Sequence, residues 1–257
     1  MGVWTEAIAV ARRILTELVR RRRSLVFWAV FPVAILLLNG AIVAERAQIS
    51  LVDALEAAAP TALVGAALFF SCLGGTVSTL VAEREQQTLK RLFIAPLRGR
   101  SYVLGLTLAH GAIAVGQGLL IYGVAAFFGA TFRGSIPLGL LVLALAIAIY
   151  VGLGVILGTR FARRTEDANA LIAAFGVPLL ILGGTFLPSE FFPDSLLDLA
   201  QFNPIFHLNE AAIAVAAADS DGDVLRSHLT VLLGFLAVIL PVAALSYRQT
   251  VTLERRL

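Results

Sequence analysis

The sequence predicts an all-α polytopic membrane protein with six transmembrane helices in a single domain, residues 1–257. Of the 257 residues, 59% are hydrophobic and 14% are charged, and the mean hydropathy is +0.89, whereas soluble domains carry about 25% charged residues. Six windows contain no Asp, Glu, Lys or Arg, and each is close to the roughly 20 apolar residues that one span needs. These windows are 25–44, 60–82, 102–130, 137–159, 169–187 and 227–246.

The distribution of positive charge predicts the orientation of these helices. Seventeen of the 20 Lys and Arg residues precede the first window or follow the second, fourth and sixth, and only Arg46, Arg133 and Arg226 lie elsewhere. Cytoplasmic segments carry the excess of Lys and Arg, so we predict cytoplasmic termini in a prokaryotic cytoplasmic (inner) membrane. Topology thus explains the sequence pI near 9.5, and we expect contacts with membrane lipids but not with nucleic acid.

Residues 1–24 are predicted to form an interfacial elbow helix before the first span. Trp4, Ile8, Ala11, Leu15 and Leu18 repeat at steps of three and four, which places them on one helical face. Such a helix lies in the headgroup region with its apolar face buried. The alternative is a solvated leader helix.

Two spans have features that bear on packing. The third window has 29 residues and would be about 43 Å long as a helix, so it must tilt, protrude or bend in a core of about 30 Å. Gly154 and Gly158 form a GxxxG pair in the fourth window. This pair is compatible with packing inside one chain and with contact between two copies.

The segment 188–226, between the fifth and sixth windows, predicts an extracytoplasmic re-entrant hairpin. Pro188, Pro193 and Pro204 interrupt any continuous helix, and short helices fit 194–201 and 207–217. Residues 219–223 read DSDGD, which resembles half of a calcium loop without the Glu at its twelfth position. We therefore predict no metal site.

The chain lacks the motifs of enzymes that carry their own chemistry. It contains no Walker A, HExxH or GxSxG sequence, and its single cysteine, Cys72, excludes an intrachain disulfide. The windows hold no carboxylate, whereas ion-coupled transporters keep such groups in their spans. We therefore predict that the chain is not an enzyme, holds no cofactor, and requires an external energy source for any transport.

The charged segment 83–101 is predicted to be a cytoplasmic docking element. It reads EREQQTLKRLFIAPLRGRS, and Leu89, Leu92 and Phe93 form an apolar stripe at i, i+3 and i+4. We expect a short helix with Glu83 in its first turn, ending before Pro96. The alternative is a solvated loop between two spans. In such a loop the three apolar side chains would be exposed to water with no partner to cover them.

The start of the third span follows directly. Gly99 permits a turn, and Ser101 is expected to cap the next helix.

Two stretches resemble one family. EREQQTLKRLFIAPLRGRSYVLG resembles the signature of the integral-membrane permeases of type-2 ATP-binding-cassette (ABC) exporters, although Leu106 stands where relatives often have Lys. GGTFLPSEFFP, followed by FNPIFHLNEAAIA, is similar to a second pattern of that family. The resemblance covers nearly the whole chain.

The resemblance implies that ATP hydrolysis and transport reside on different subunits. A separate cytoplasmic ABC ATPase, present in two copies, would hold ATP and Mg, and a second permease copy or homologue would complete the transporter. The positions implied for ATPase coupling are Glu83, Arg84, Glu85, Thr88, Leu89, Arg91, Leu92, Phe93 and Pro96. The positions implied for an outer gate are Phe186, Pro188, Phe191, Asn203, Pro204 and Glu210, for which simple packing of a cap is the alternative.

We therefore expect the permease subunit of an ATP-driven exporter for a drug-like, lipid or lipid-linked glycan substrate. Alternatives are the haem-exporter permease of cytochrome c maturation, a non-transporting scaffold or assembly subunit, and an intramembrane enzyme. An adjacent reading frame with a Walker A motif would separate the exporter from the last two.

Overall fold

All regular secondary structure is helical in the part of the chain that the computed structural model describes, which comprises residues 2–20, 22–88, 98–217 and 222–254. The helices in chain order are α1 (Val3–Arg20), α2 (Arg22–Ala47), α3 (Leu51–Glu85), α4 (Gly99–Phe127), α5 (Ile136–Arg160), α6 (Thr165–Leu182), α7 (Asp194–Ala200), α8 (Pro204–Ala216) and α9 (Gly222–Glu254).

Six of these helices, α2 to α6 and α9, are long and apolar enough to cross a membrane. They correspond one to one with the six predicted windows, so the prediction of an all-α protein with six spans is confirmed. The bundle has two ends. We call the end with α1 and the last described turn of α9 the terminal face, and the end with α7 and α8 the hairpin face.

Helix α3 forms the centre of the bundle. Its most apolar window is 89% buried, whereas the corresponding windows of α6 and α9 are only 17% and 22% buried. The helix begins before the predicted window because Ser50 caps it, with Oγ accepting from the Asp53 amide at 3.2 Å. Pro60 lies inside the helix, and π-helical turns follow at Ala62–Ala67 and Phe69–Gly74. A proline cannot donate the regular i→i−4 bond.

The GxxxG pair of α5 packs inside the chain. A Cβ on Gly154 would lie 2.9 Å from the Leu73 carbonyl oxygen of α3, and one on Gly158 would lie 3.1 Å from the Leu80 side chain. Both glycines therefore let α5 approach α3 closely, which favours the first of the two interpretations that the sequence left open.

The buried face of α1 differs from the predicted stripe. Ala7, Val10, Ala11, Ile14 and Leu18 are buried, and the helix packs mainly against α4. In contrast, Trp4 is 65% exposed and Ile8 is 58% exposed. The structure therefore divides the predicted stripe, since Ala11 and Leu18 pack inside the bundle while Trp4 and Ile8 face outward. The interfacial position of α1 stays a prediction.

The hairpin face contains the two short helices expected from the sequence. Helix α7 matches the predicted range, but α8 begins at Pro204 instead of residue 207. Asn203 caps this earlier start, since its Oδ1 accepts from the Ile205 amide at 3.0 Å. Pro204 occupies the first helical turn, where a missing N–H costs nothing.

Candidate functional site

The three residues Glu83, Arg84 and Glu85, here called the ERE triplet, form the last turn of α3. The sequence had predicted Glu83 and Glu85 in the first turn of a separate helix, and this is wrong. No breaker interrupts the helix between Ala82 and Glu83, so α3 simply continues. The chain leaves the helix at Gln87, whose φ of 57° is left-handed.

Glu83 joins α3 to two other helices. Its carboxylate is buried and accepts hydrogen bonds from the Arg13 guanidinium of α1 and from the Tyr102 hydroxyl of α4, the latter at 2.6 Å. The Tyr102 ring stacks on Tyr247 of α9, with centroids 5.4 Å apart. A buried carboxylate at a helix C-terminus is unfavourable unless it is paired, so Arg13 and Tyr102 hold this end of α3 in place.

The other two residues of the triplet reach different elements. Arg84 Nη1 donates to the Ala162 carbonyl beyond α5 at 2.8 Å. Glu85 accepts from the backbone amide of Thr165 at 3.0 Å and from its hydroxyl at 2.7 Å. This carboxylate therefore caps the N-terminus of α6, where negative charge is favourable. Each residue of the triplet thus fixes a different neighbour to the central helix.

A second connection joins α1 to the start of α4. Glu6 accepts from the Ser101 hydroxyl at 2.6 Å and from the Arg98 amide at 3.4 Å. These interactions, led by the Ser101 hydrogen bond, lower the pKa of the Glu6 carboxyl. Ser101 was expected to cap α4, but it lies inside the helix, whose N-cap residue is Arg98. The cap comes instead from Glu6 on the neighbouring helix.

Gly105 determines how closely α1 and α4 approach. A Cβ at this position would lie 2.9 Å from the Ala7 carbonyl oxygen and 2.6 Å from the Val10 side chain. We expect Gly105→Leu to displace α1 and to destabilise the protein by about 1–3 kcal/mol, the usual cost of overpacking. A lower melting temperature of the purified chain would register this loss. Gly116→Leu, on the same helix with open space around it, is the control, and equal melting temperatures would contradict the role of Gly105.

The remaining coupling candidates lie in or beside the gap in the described chain. Thr88 is half-buried just after the turn. Leu89, Arg91, Leu92, Phe93 and Pro96 lie outside the described residues, and their docking role stays a prediction.

The outer-gate candidates are only partly brought together. Asn203 Nδ2 donates to the Leu179 carbonyl of α6 at 2.7 Å, and the Ser189 hydroxyl, next to Pro188, donates to Glu210 at 2.6 Å. These contacts connect the two halves of the hairpin and fix α8, with Pro204 at its start, to α6. Phe186 packs against the main core, whereas Phe191 is 46% exposed and apart from that core.

Two asparagines missed by the sequence analysis stabilise the turn after α6. Asn209 Nδ2 donates to the Gly183 carbonyl at 2.6 Å, and Asn39 Nδ2 of α2 donates to the Thr185 carbonyl at 2.8 Å. Gly184 in this turn has φ of +76°. The sequence contained a signal for Asn39, because an amide side chain in an otherwise apolar window such as 25–44 indicates a buried polar contact. Arg13 and Tyr102 were missed because their partner is distant in sequence.

A groove of about 490 Å³ runs between α2, α3 and α6. Its lining mixes the aromatic side chains Phe27 and Trp28 with the polar side chains Ser78, Thr79 and Asn169. A buried polar connection lies beside it, in which Ser71 donates to Gln117 at 2.6 Å and Gln117 donates to the Trp28 carbonyl at 2.9 Å. The groove can accept an amphipathic molecule.

Comparison with known proteins identifies the family. Residues 5–216 match the family described as ABC-2 type transporter. The inner membrane transport permease YhhJ of Escherichia coli K12 is 26% identical over 178 residues, which cover 68% of this chain and 47% of that protein. The probable multidrug ABC transporter permease YbhR of the same strain is 24% identical over 177 residues, covering 68% and 48%. The chain thus spans about half the length of the curated relatives it matches. This chain, with six helices long and apolar enough to cross a membrane, belongs over most of its length to the ABC-2 type transporter family.

Proposed function

We propose that this chain is the permease subunit of an ATP-driven exporter whose energy comes from a separate ATPase subunit that binds ATP and Mg. The observation that carries the proposal is the ERE triplet, which connects α3 to α1, α4, α6 and the segment after α5. The terminal face would be the cytoplasmic face, because 17 of the 20 Lys and Arg residues lie in the segments at this end.

The triplet suggests how force would enter the membrane domain. The coupling segment 83–101 starts at the triplet and ends where Glu6 contacts Ser101. A push on the apolar stripe of Leu89, Leu92 and Phe93 would therefore reach α3 and α4 through short connections. Glu83 is buried, so its part in coupling is to position helices and not to touch an ATPase.

The exposed side of α1 supports the interfacial elbow. Trp4, Ile8 and Val19 are exposed apolar side chains on a helix whose neighbouring side is packed. Membrane headgroups and upper acyl chains would cover such a surface. The same helix carries Arg13, so its position in the interface would be transmitted to the triplet.

The groove between α2, α3 and α6 supports two further parts of the proposal. These are a path for cargo and an interface with a second permease copy. The flanking helices are the poorly buried α2 and α6, and α6 also carries the large apolar side chain of Phe175, which is 63% exposed. Two copies meeting here would enclose the two grooves. The mixed lining suits an amphipathic drug, lipid or lipid-linked glycan.

The hairpin is proposed to gate the exit of that path. It would re-enter the bundle through α8, whose N-cap residue Asn203 donates a hydrogen bond to the Leu179 carbonyl, three residues before the end of α6. Because α6 lines the groove and the hairpin closes over its end, movement of α8 would open or close the outer side. Non-helical backbone at this depth requires protein or water contacts, which the asparagine bonds supply.

Leu92→Asp tests the docking of the ATPase. A charge in the apolar stripe should leave the protein inserted in the membrane but strongly reduce co-purification of the ATPase and ATP-dependent export. Thr252→Asp, on an exposed residue at the same face, is the control and should change neither. Full ATPase recruitment and normal export by Leu92→Asp would refute the docking stripe, and a scaffold that transports nothing would show no export in any variant.

A further inference from the structure

A second groove lies on the flank of the bundle, between α3, α4 and α5, with α8 closing its end at the hairpin face. Its volume is about 540 Å³, within the roughly 300–1,000 Å³ of sites that hold small molecules. The residues that shape it are Leu63, Val115, Gly118, Tyr122, Phe132 and Leu140. It shares no lining residue with the groove between α2, α3 and α6, and it is remote from the ERE triplet at the other end of α3.

The space exists because two small residues face it. A Cβ on Gly118 would meet Leu63 at 3.6 Å, and a Cβ on Gly139 would meet Val215 at 3.8 Å. Both distances are ordinary contacts, so a methyl group fits at either position. The remainder of a larger side chain would have to occupy the groove itself. Voids of this size are rare in packed protein, and this one opens towards the hydrocarbon side of the bundle.

The Tyr122 hydroxyl is a polar group in the lining of this apolar groove. Its hydroxyl has no hydrogen-bond partner within the described ranges of the chain, and its ring contacts Phe132 edge-on at 5.5 Å. Tyr122 lies five residues before the end of α4 at Phe127, or about 7.5 Å along the helix. Tyrosine is enriched at this depth, where the hydrocarbon meets the headgroups.

A cation neighbours the lining residue Phe132 in sequence. Arg133 has a side chain that is 63% exposed, and its Nε lies 3.6 Å from the Glu56 carboxylate and 3.4 Å from the Thr131 hydroxyl. Glu56 therefore offsets part of the Arg133 charge. The groove thus offers an apolar cavity with one free hydroxyl, and an exposed guanidinium follows its lining residue Phe132. These are the groups that suit the acyl chain, the ester and the phosphate of a phospholipid.

We propose that this groove is a binding site for one bilayer glycerophospholipid. One acyl chain fills the cavity, the Tyr122 hydroxyl donates to an ester oxygen, and the phosphate lies beside Arg133. Because Glu56 shares that guanidinium, the acyl chain contributes more to binding than the headgroup charge. The site is separate from the proposed cargo path, so the lipid is a resident ligand and its binding does not depend on transport.

Native mass spectrometry of the full-length chain tests this site, with dipalmitoyl phosphatidylglycerol and dipalmitoyl phosphatidylethanolamine added to delipidated protein. We expect the unmodified chain and the control Gly116→Leu to retain one molecule of either lipid. Gly118→Leu should lose it, because the leucine side chain occupies the groove. Tyr122→Phe should bind roughly two- to tenfold more weakly, the effect of one neutral hydrogen bond.

Equal retention by Gly118→Leu and the unmodified chain would overturn the proposal, as would the absence of a retained lipid in both. If Gly118→Leu does not fold, a phospholipid with a photoreactive acyl chain decides the question. Cross-links confined to α4 and α5 near Tyr122, weakened in Tyr122→Phe, support the site. Cross-links spread around the whole bundle refute it.

Discussion

Replacing Glu83 with Gln is expected to lower export about tenfold or more and to destabilise the folded protein. The buried carboxylate accepts from Arg13 and Tyr102, and a hydrogen bond to a charged group contributes about 1.5–3 kcal/mol. Gln keeps the size of the side chain but leaves the Arg13 guanidinium without its counter-charge. A free-energy difference of about 1.4 kcal/mol is a factor of ten in an equilibrium constant. Losing one such hydrogen bond would therefore account for a tenfold loss of the arrangement that holds this end of α3 in place. ATP-driven uptake of an amphipathic dye into inside-out vesicles, together with the melting temperature of the purified chain, measures both effects.

A double-mutant cycle separates this interaction from general damage. Because Arg13 and Glu83 act on each other, Arg13→Ala combined with Glu83→Gln should be little worse than Glu83→Gln alone. Glu85→Gln is a matched control two residues further along α3. Its side chain is exposed, and Gln can still accept from Thr165, so we expect a smaller loss. Additive effects of the Arg13 and Glu83 substitutions would show that the ion pair does not join α1 to α3.

Cross-linking the hairpin to α9 is expected to abolish export. His207 of α8 and His228 of α9 face each other with their Nδ1 atoms 2.9 Å apart. His207→Cys with His228→Cys, in a Cys72→Ala background, places two thiols across this contact. A short reducible bifunctional reagent should then stop export by holding α8 still, and reduction should restore it. Dye export from vesicles before and after reduction measures the effect.

The matched control is the variant that carries His228→Cys without His207→Cys, treated with the same reagent. A single thiol cannot bridge α8 to α9, so α8 stays free to move. We expect export to persist in that variant. Unchanged export after complete cross-linking of positions 207 and 228 would instead identify the hairpin as a packed cap.

Much of the fold was predictable because the bilayer imposes a simple rule on sequence. Charges are expensive in hydrocarbon, so the windows free of Asp, Glu, Lys and Arg coincide with the six long helices. Local chemistry also located α7 and approximately located α8. The predicted start of α8 was three residues too late. Pro204 is typical of a helix break in sequence, but here it occupies the first turn of α8, which Asn203 caps.

The contacts of the candidate site were not predictable from local pattern. Arg13 and Glu83 are 70 residues apart in sequence, and Thr165 is 80 residues from Glu85. Periodicity assigns faces to helices, but it does not determine which helices pack together. The division of the predicted α1 stripe has the same origin, since the Trp4 side and the Ala7 side are both apolar, and the close approach of α1 to Gly105 selects the side that packs.

ATP-dependent export in proteoliposomes tests the central claim most directly. The purified chain would be reconstituted with and without its proposed ATPase partner, and uptake of an amphipathic dye into the lumen would be followed after adding ATP and Mg to proteoliposomes whose ATPase side faces outward. The account predicts dye movement only with both proteins and ATP present, and its loss when the ATPase is omitted or carries a disabled Walker A lysine. Equal dye movement by the chain alone, without ATPase or nucleotide, would contradict it.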